Sequence, residues 1–233
     1  MKKLAIYYIA TSNYKNGFST FVDSIEHFMP DVHKTIFCLS DGLEAYDGYN
    51  VKNLFVTARK IDHLPWPLVA LLKFHYIYKH RNDNFDYACY CNADLQFNTD
   101  CTNYRFNENK INLCAHVNSF GFEVVDNFKF EYTKNPKSTA YIENPYKYCM
   151  SGFVYGPNRL FIDMCKDIVD MIDKDLMNNI IAERHDESYL NKWAVTNKDK
   201  CCMPVRFMTK VKTDSGSPFI IKDTFVKDKN IIR

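Results

Sequence analysis

An unbroken apolar run near the N-terminus constrains the fold of this chain more than any other feature. Leu4–Ala10 contains almost only apolar residues, which is typical of a parallel β-strand buried on both faces. Apolar residues at helical spacing follow it, at Phe18, Phe21, Val22, Ile25 and Phe28. A buried strand followed by a helix with one apolar face predicts an α/β domain.

The same alternation continues along the chain. Further strands are predicted at Thr35–Leu39, Val51–Val56 and Tyr87–Cys91. Pro67 opens a second predicted helix and Pro157 opens the longest one. Residues 110–155 have the pattern of an irregular, strand-rich region, and Asp186 is placed to cap one more helix.

Length and continuity predict one domain. The chain has 233 residues, which is ample for one core, and it shows no internal repeat, low-complexity tract or linker. We therefore expect a single domain over residues 1–233. A βαβ series with polar residues at the carboxyl end of a strand predicts a ligand crevice at that edge of the sheet.

Charge and hydropathy exclude two classes of partner. The net charge is only +2, which argues against nucleic acid and against a strongly anionic membrane. The first ten residues resemble a short signal peptide, but the run ends at Thr11 without a small-residue cleavage pattern. No run approaches the ~18 apolar residues of a membrane span. We expect no integral membrane segment.

Cysteine usage indicates the redox environment. The nine cysteines include no CxxC pair, so neither a zinc site nor a redox motif is predicted. Cys38, Cys89 and Cys114 stand inside apolar runs and look like small core residues of a reducing compartment. We expect a cytoplasmic protein, with peripheral attachment to the inner membrane as the alternative.

Asn92 and Asp94 directly follow a predicted strand. Two carboxylates at this spacing can hold a divalent cation against a diphosphate, but here the first position is an amide. Asn92 can still bind a ribose hydroxyl, and Asp94 can still ligate a metal. On spacing alone, an ordinary turn is the simpler explanation.

Residues 184–193 place several polar side chains at a predicted helix start. Capping by Asp186 or Ser188, with acids near the positive end of the helix dipole, explains them on spacing alone. The functional alternative makes Glu187 a carboxylate that faces an anomeric carbon, where positive charge develops in the transition state. His185 and Asp186 would then orient sugar hydroxyls.

Two further segments have alternative explanations. Ser151 and Gly152, beside an aromatic strand, leave room either for a ligand or for a close strand approach. The C-terminal basic residues, with Lys227 and Arg233 among them, are either solvated or a flexible clamp that neutralises a diphosphate leaving group.

Together these motifs resemble those of the family 6 glycosyltransferases, which include the histo-blood-group A and B transferases. The most specific similarity is 185–188 followed by 190–192, His-Asp-Glu-Ser and Leu-Asn-Lys. Residues 92–94 stand where that family has Asp-x-Asp, and Ala-Tyr-Ile at 140–142 precedes the aromatic strand as in the family. Residues 150–153 fall on the segment that selects the donor sugar. The chain looks like a compact bacterial-type member.

The resemblance implies a GT-A fold, with one Rossmann-like nucleotide-sugar-binding domain around a mixed central sheet. It also implies retaining transfer from a UDP-sugar to the 3-hydroxyl of a galactoside, with Glu187 as the catalytic residue. The implied acceptor-binding residues are His116, Arg184 and Glu187, although a packed core histidine explains His116 equally well. The implied donor-binding residues are Ile9, Ala10, Asn13, Lys73, Asn92, Asp94, Met150, Ser151, Gly152, His185, Asp186, Lys227 and Arg233.

The donor sugar is predicted from side-chain size. In the family that this chain resembles, glycine at the position of Gly152 goes with N-acetylgalactosamine, whereas methionine near the position of Met150 goes with galactose in one member. We expect an α-1,3-N-acetylgalactosaminyltransferase acting on a fucosylated, H-antigen-like galactoside. The alternatives are an α-1,3-galactosyltransferase using UDP-galactose, or a non-catalytic protein that binds glycans or nucleotide sugars.

The charge of the leaving diphosphate must be neutralised. We expect Lys227 and Arg233 to do this, so that no cofactor is obligatory, with Mn²⁺ bound through Asp94 as the alternative. The tail, about 211–233, is expected to order over the donor. The expected partners are a UDP-sugar and an oligosaccharide or glycoconjugate acceptor. A retaining hydrolase would need a second carboxylate about 5 Å from Glu187, and the motif supplies no obvious partner.

Overall fold

Strands and helices alternate through the chain as the apolar pattern predicts. The structure, a computed structural model, describes residues 2–98, 106–115, 134–143, 148–202, 208–209 and 219–221. Its strands are β1 Lys3–Ala10, β2 His33–Ser40, β3 Asn50–Val51, β4 Leu54–Lys60, β5 Tyr87–Asn92, β6 Leu95–Phe97, β7 Ile111–Ala115, β8 Cys149–Pro157, β9 Cys201–Cys202, β10 Met208–Thr209 and β11 Phe219–Ile221. Its α-helices are α1 Phe18–Phe28, α2 Leu68–Leu71, α3 Lys73–Lys79, α4 Asn158–Met177 and α5 Asp186–Thr196, with 3₁₀ helices at Ser12–Gly17 and Glu44–Tyr46.

The N-terminal strand lies in the middle of an eight-stranded mixed sheet ordered β3-β4-β2-β1-β5-β8-β7-β9. β1 pairs in parallel with β2 on one side and with β5 on the other. Tyr7 and Tyr8 point to opposite faces, and both are fully buried, each in a different core cluster. Because both faces are covered, the strand shows no polar alternation. The mixed α/β architecture predicted from the sequence is confirmed.

Helices cover the two faces of the sheet. On one face, Phe18 and Phe21 of α1 lie 5.1 and 4.5 Å from Tyr8, between ring centroids. On the other face, Phe161 of α4 stacks on Tyr7 at 6.0 Å, and Trp193 of α5 belongs to the same core cluster. A second, three-stranded sheet contains β10, β11 and β6.

The sheet topology brings several strand ends together. The chain moves outward from β1 through β2 to β4 and then returns to β5 on the other side of β1. In open α/β sheets a ligand crevice is expected at such a reversal of strand order, which here lies at the carboxyl ends of β1 and β5, where Ile9 pairs with Asn92. β8 runs antiparallel to β5, with Cys91 opposite Phe153, so the beginning of β8 lies at the same edge.

Two local predictions are wrong. Val51–Val56, predicted as one strand, is divided into β3 and β4, which pair antiparallel around Lys52 in the left-handed region at φ 49°. The helix predicted from Pro67 is two short helices, because the backbone at Leu72 departs from the helical region. Pro157 directly precedes the longest described helix, α4, as predicted.

Within the described ranges, no helix is both long enough and apolar enough to cross a membrane. Of the tail, about 211–233, only the backbone of β11 is described, so the predicted ordering over the donor stays a prediction.

A buried carboxylate in α4 connects three parts of the chain. Asp175, 1% exposed, accepts hydrogen bonds from the Ser138 hydroxyl (2.5 Å), the Thr139 backbone N–H (2.8 Å) and the Tyr189 hydroxyl (2.9 Å). It thereby joins the segment 134–143 to α4 and to the helix α5 that carries Glu187.

Replacing Asp175 with alanine should destabilise the fold, because three donors then lose their common acceptor. We expect Asp175→Ala to lower the free energy of unfolding by about 2–4 kcal/mol in urea denaturation followed by circular dichroism. The control is Asp170→Ala on the same helix, whose exposed side chain pairs with Lys166 and should contribute about 0.5 kcal/mol or less. Equal losses in the two variants would contradict the anchoring role of Asp175.

Candidate active site

Glu187 lies in the first turn of α5, beside the start of β8. Its Oε1 accepts a hydrogen bond from the Tyr148 hydroxyl, and its Oε2 accepts one from the backbone N–H of Ser151 at 3.1 Å. The side chain remains partly exposed. The residue before β8 and a residue within it thus fix the two carboxylate oxygens, while the group keeps partial exposure.

Opposing effects determine the protonation of Glu187. Burial raises its pKa above the ordinary value, and the charge of Asp186 raises it further. The hydrogen bonds from Tyr148 and Ser151, together with the positive charge of Lys73, lower this pKa. Burial and the charge of Glu187 raise the pKa of the Tyr148 phenol, so Tyr148 keeps its proton and donates a hydrogen bond to Glu187.

Lys73 connects three elements of the site. Its Nζ lies 2.5 Å from Oδ2 of Asp186, 2.9 Å from Oγ of Ser151 and 3.1 Å from the Ser151 carbonyl oxygen. The ammonium group also lies over the Tyr90 ring, 4.5 Å from its centroid. The ammonium therefore makes two hydrogen bonds to Ser151 and an ion pair with Asp186. Lys73 therefore holds α3, β8 and α5 together, and its predicted contact with the donor stays a prediction.

The predicted capping of α5 by Asp186 is wrong. Asp186 is the first residue of the helix, is 5% exposed, and makes the ion pair with Lys73 instead of a cap. The residue before the helix is His185, whose φ of 49° lies in the left-handed region. Ser188, the other cap candidate, accepts from the backbone N–H of Arg184 at 3.0 Å, the residue before the N-cap His185, so it does not cap the helix either.

Asn191 fixes the position of α5 against β8. Its Oδ1 accepts from the Cys149 backbone N–H at 2.9 Å, and its Nδ2 donates to the carbonyl oxygens of Cys149 (2.7 Å) and Glu187 (2.8 Å). The amide is 1% exposed and extends the hydrogen bonding of the strand. The sequence reasoning assigned no role to Asn191 or to Tyr148. A polar amide inside a helix that is otherwise packed into the core was the available signal for Asn191.

Asn92, Met150 and Gly152 meet beside the crevice. Asn92 Oδ1 accepts from the Tyr90 hydroxyl at 2.9 Å. A Cβ added to Gly152 would lie 2.9 Å from Met150 Cε and 3.2 Å from Asn92 Nδ2. The space that glycine leaves is therefore bordered by these two side chains. Burial and the charges of Asp186 and Asp94 raise the pKa of Tyr90, so both acidic motifs approach this one residue.

The strand β1, which carries two of the predicted donor-binding residues, ends at the same edge. Ile9 is 8% and Ala10 1% exposed, and Asn13 lies exposed in the 3₁₀ helix that follows β1. The structure thus brings these three residues to the crevice edge with Asn92. Ring centroids of His185 and Trp66 lie 5.0 Å apart in an edge-to-face contact.

The remaining residues predicted for the site are either exposed or outside the described part of the chain. Arg184 is exposed, three positions before Glu187. His116, Lys227 and Arg233 lie outside the described residues. All of the substrate-binding and catalytic roles assigned from the sequence stay predictions.

The residues around Asp94 fit a tightly bound divalent cation poorly. The first position of the motif is Asn92, and its amide oxygen already accepts from Tyr90. Nowhere in the described part of the chain do three or more His, Cys, Asp or Glu side chains form a set that could hold a metal ion. Asp94 is the carboxylate that the motif supplies, whereas Mn²⁺ and related hard cations prefer several oxygen ligands.

Two comparisons with known proteins show what this chain is similar to. The family model described as glycosyltransferase family 6 matches residues 67–232. The O-antigen biosynthesis glycosyltransferase WbnI of Escherichia coli is 27% identical over 201 residues, covering 83% of this chain and 82% of that protein. The family match includes α3, β5, β8 and α5, which contribute Lys73, Asn92, Ser151 and Glu187.

Breaking the buried ion pair should be costly, because Asp186 would lose its charged partner at a buried position. We expect Lys73→Met to lower the free energy of unfolding by about 3–5 kcal/mol in urea denaturation, and Lys73→Met combined with Asp186→Asn to recover part of the loss. Lys166→Met, which breaks an exposed pair, is the control and should cost about 0.5 kcal/mol or less. A Lys73→Met cost no larger than this control would refute the assignment.

Proposed function

This chain belongs to glycosyltransferase family 6, and from that membership we propose that it is a retaining α-1,3-N-acetylgalactosaminyltransferase that uses UDP-N-acetylgalactosamine. It is a glycosyltransferase with a mixed α/β fold of the GT-A type. The observation that carries the proposal is the Glu187 carboxylate, held by Tyr148 and Ser151 at the crevice where the strand ends meet.

The proposed reaction uses this carboxylate at the anomeric carbon. The bond from C1 to the β-phosphate oxygen breaks, and UDP leaves with the electron pair. Positive charge develops at C1, where Glu187 either forms a covalent intermediate or stabilises an oxocarbenium-like ion. The acceptor oxygen then bonds to C1 with retention, and its proton passes to the departing phosphate. The ion pair of Asp186 with Lys73 argues against a hydrolase, because it engages the other carboxylate of the motif.

The choice of donor rests on the space beside Gly152. The absent side chain supports N-acetylgalactosamine, whose acetamido group is larger than a hydroxyl. A second candidate, UDP-galactose, is favoured by Met150, because its terminal methyl borders the position that a side chain at Gly152 would occupy. Both candidates use the same Glu187 and the same diphosphate chemistry.

We propose that the acceptor is a fucosylated, H-antigen-like galactoside within a cell-surface polysaccharide. The name of the Escherichia coli relative, an O-antigen biosynthesis glycosyltransferase, supports this class of glycan. A cytoplasmic location, with peripheral attachment to the inner membrane as the alternative, fits the buried thiols of Cys38, Cys89 and Cys165. The non-catalytic alternative is disfavoured because a partly exposed carboxylate is held by two donors in the crevice.

A donor and acceptor panel tests the proposed function. We expect the protein to consume UDP-N-acetylgalactosamine only when 2′-fucosyllactose is present, with the anomeric configuration retained in the product. UDP release and linkage analysis of the product are the measurements. Glu187→Gln is the matched control and should lower turnover by orders of magnitude while leaving UDP affinity nearly unchanged. Donor consumption that does not need an acceptor would indicate a hydrolase.

Transfer should persist in excess chelator, because we propose that Lys227 and Arg233, and not a cation at Asp94, neutralise the leaving diphosphate. UDP release with and without EDTA is the measurement. The variant carrying both Lys227→Ala and Arg233→Ala should lose about 100-fold or more in kcat, since each removed donor lowers transition-state stabilisation. Activity lost in chelator and restored by Mn²⁺ would overturn metal independence.

A further inference from the structure

Two donors hold Glu187, the backbone N–H of Ser151 in β8 and the phenol of Tyr148 just before that strand, and the reaction itself does not require the phenol. We propose that Tyr148 is a positioning residue that keeps Glu187 ionised and fixed toward the crevice. This inference rests on the proposed transferase function, in which Glu187 must carry negative charge when positive charge develops at C1.

The geometry makes Tyr148 part of a rigid unit. Its side chain is 7% exposed, and its hydroxyl reaches Oε1 of Glu187, while the backbone N–H of Ser151 reaches Oε2. Asn191, one turn further along α5, bonds both the N–H and the carbonyl of Cys149, the residue after Tyr148. Strand and helix are therefore fixed in register, which places the backbone of Tyr148 beside the first turn of α5.

The charges around Glu187 give Tyr148 its importance. Several titratable or charged groups surround Glu187. Cys149 at the start of β8 and Tyr148 just before it lie on one side. Asp186 of α5 and Lys73 of α3 act on Glu187 directly, and Arg184 acts on the phenol of Tyr148. The charge of Lys73 is largely balanced by its ion pair with Asp186. The hydrogen bonds on Glu187 itself therefore have to offset burial, and among the groups that lower the pKa of Glu187, Tyr148 has the largest effect.

Removing the phenol hydroxyl should change the pKa of Glu187 in a predictable direction. The hydrogen bond favours the charged form of Glu187, so its loss raises the pKa of that carboxyl group. As the solution is acidified, Glu187 of the variant therefore takes up its proton at a higher pH than Glu187 of the wild-type protein. A purely structural role of Tyr148 would instead change stability or turnover equally at every pH.

The test is a titration of Glu187 in the full chain by NMR, using ¹³C-labelled glutamate and Glu187→Gln to assign the resonance. We expect Tyr148→Phe to raise the pKa of Glu187 by about one unit, a tenfold change in the protonation equilibrium. In the same variant the acid limb of the kcat profile should move to higher pH by a similar amount, with little change in the donor KM. An unchanged titration of Glu187 would overturn the proposal.

Two further variants complete the test. Tyr189→Phe is the matched control. It removes a buried tyrosine hydroxyl on α5 that donates to Asp175 and not to Glu187, so the Glu187 titration should stay unchanged. If Tyr148→Phe does not fold, fluorotyrosine at position 148 keeps the shape and strengthens the donor, and the pKa of Glu187 should then fall. Because the titration needs no substrate, a wild-type protein without transferase activity would refute the proposed function while the titration still decides the role of Tyr148.

Discussion

The buried ion pair between Lys73 and Asp186 is the interaction on which the site depends. It joins α3 to the first residue of α5, and the Lys73 ammonium also donates hydrogen bonds to the carbonyl and hydroxyl of Ser151. Breaking such a pair leaves a buried charge without compensation, which costs far more than an exposed pair. The start of α5 is therefore held in one place, and Glu187, the next residue, is presented to the crevice.

The sheet and the helix contribute differently to this arrangement. Parallel pairing of β1 and β5 brings Ile9 and Asn92 to one edge, and the antiparallel β8 returns to that edge with Ser151. The strands therefore build the wall of the crevice, and α5 supplies the carboxylate. Asn191 links the two by bonding the backbone of Cys149. In the proposed reaction this division matters, because the donor-contacting wall and the charged group are fixed by separate elements that share hydrogen bonds.

In the proposed function, the choice of donor sugar and the charge of Glu187 both depend on groups of neighbouring residues. Gly152 lacks a side chain, yet Met150 and Asn92 border the space that it leaves. Room for an acetamido group therefore depends on three residues together. The protonation of Glu187 likewise depends on Tyr148, Ser151 and the balance of Lys73 against Asp186. The space beside Gly152 and the pKa of Glu187 are therefore properties of the packed site and not of either residue alone.

The sequence by itself determined the central strand, α1, α4 and the positions of the polar motifs, because apolar periodicity reports local burial and the motifs are local in sequence. It did not determine the division of Val51–Val56, the break at Leu72, or the partner of Asp186. The contacts that build the site join distant residues: 78 positions separate Lys73 from Ser151, and 39 separate Tyr148 from Glu187. Only the tertiary structure brings such side chains within hydrogen-bonding distance, since a periodic pattern indicates which face is buried and not which polar groups meet there.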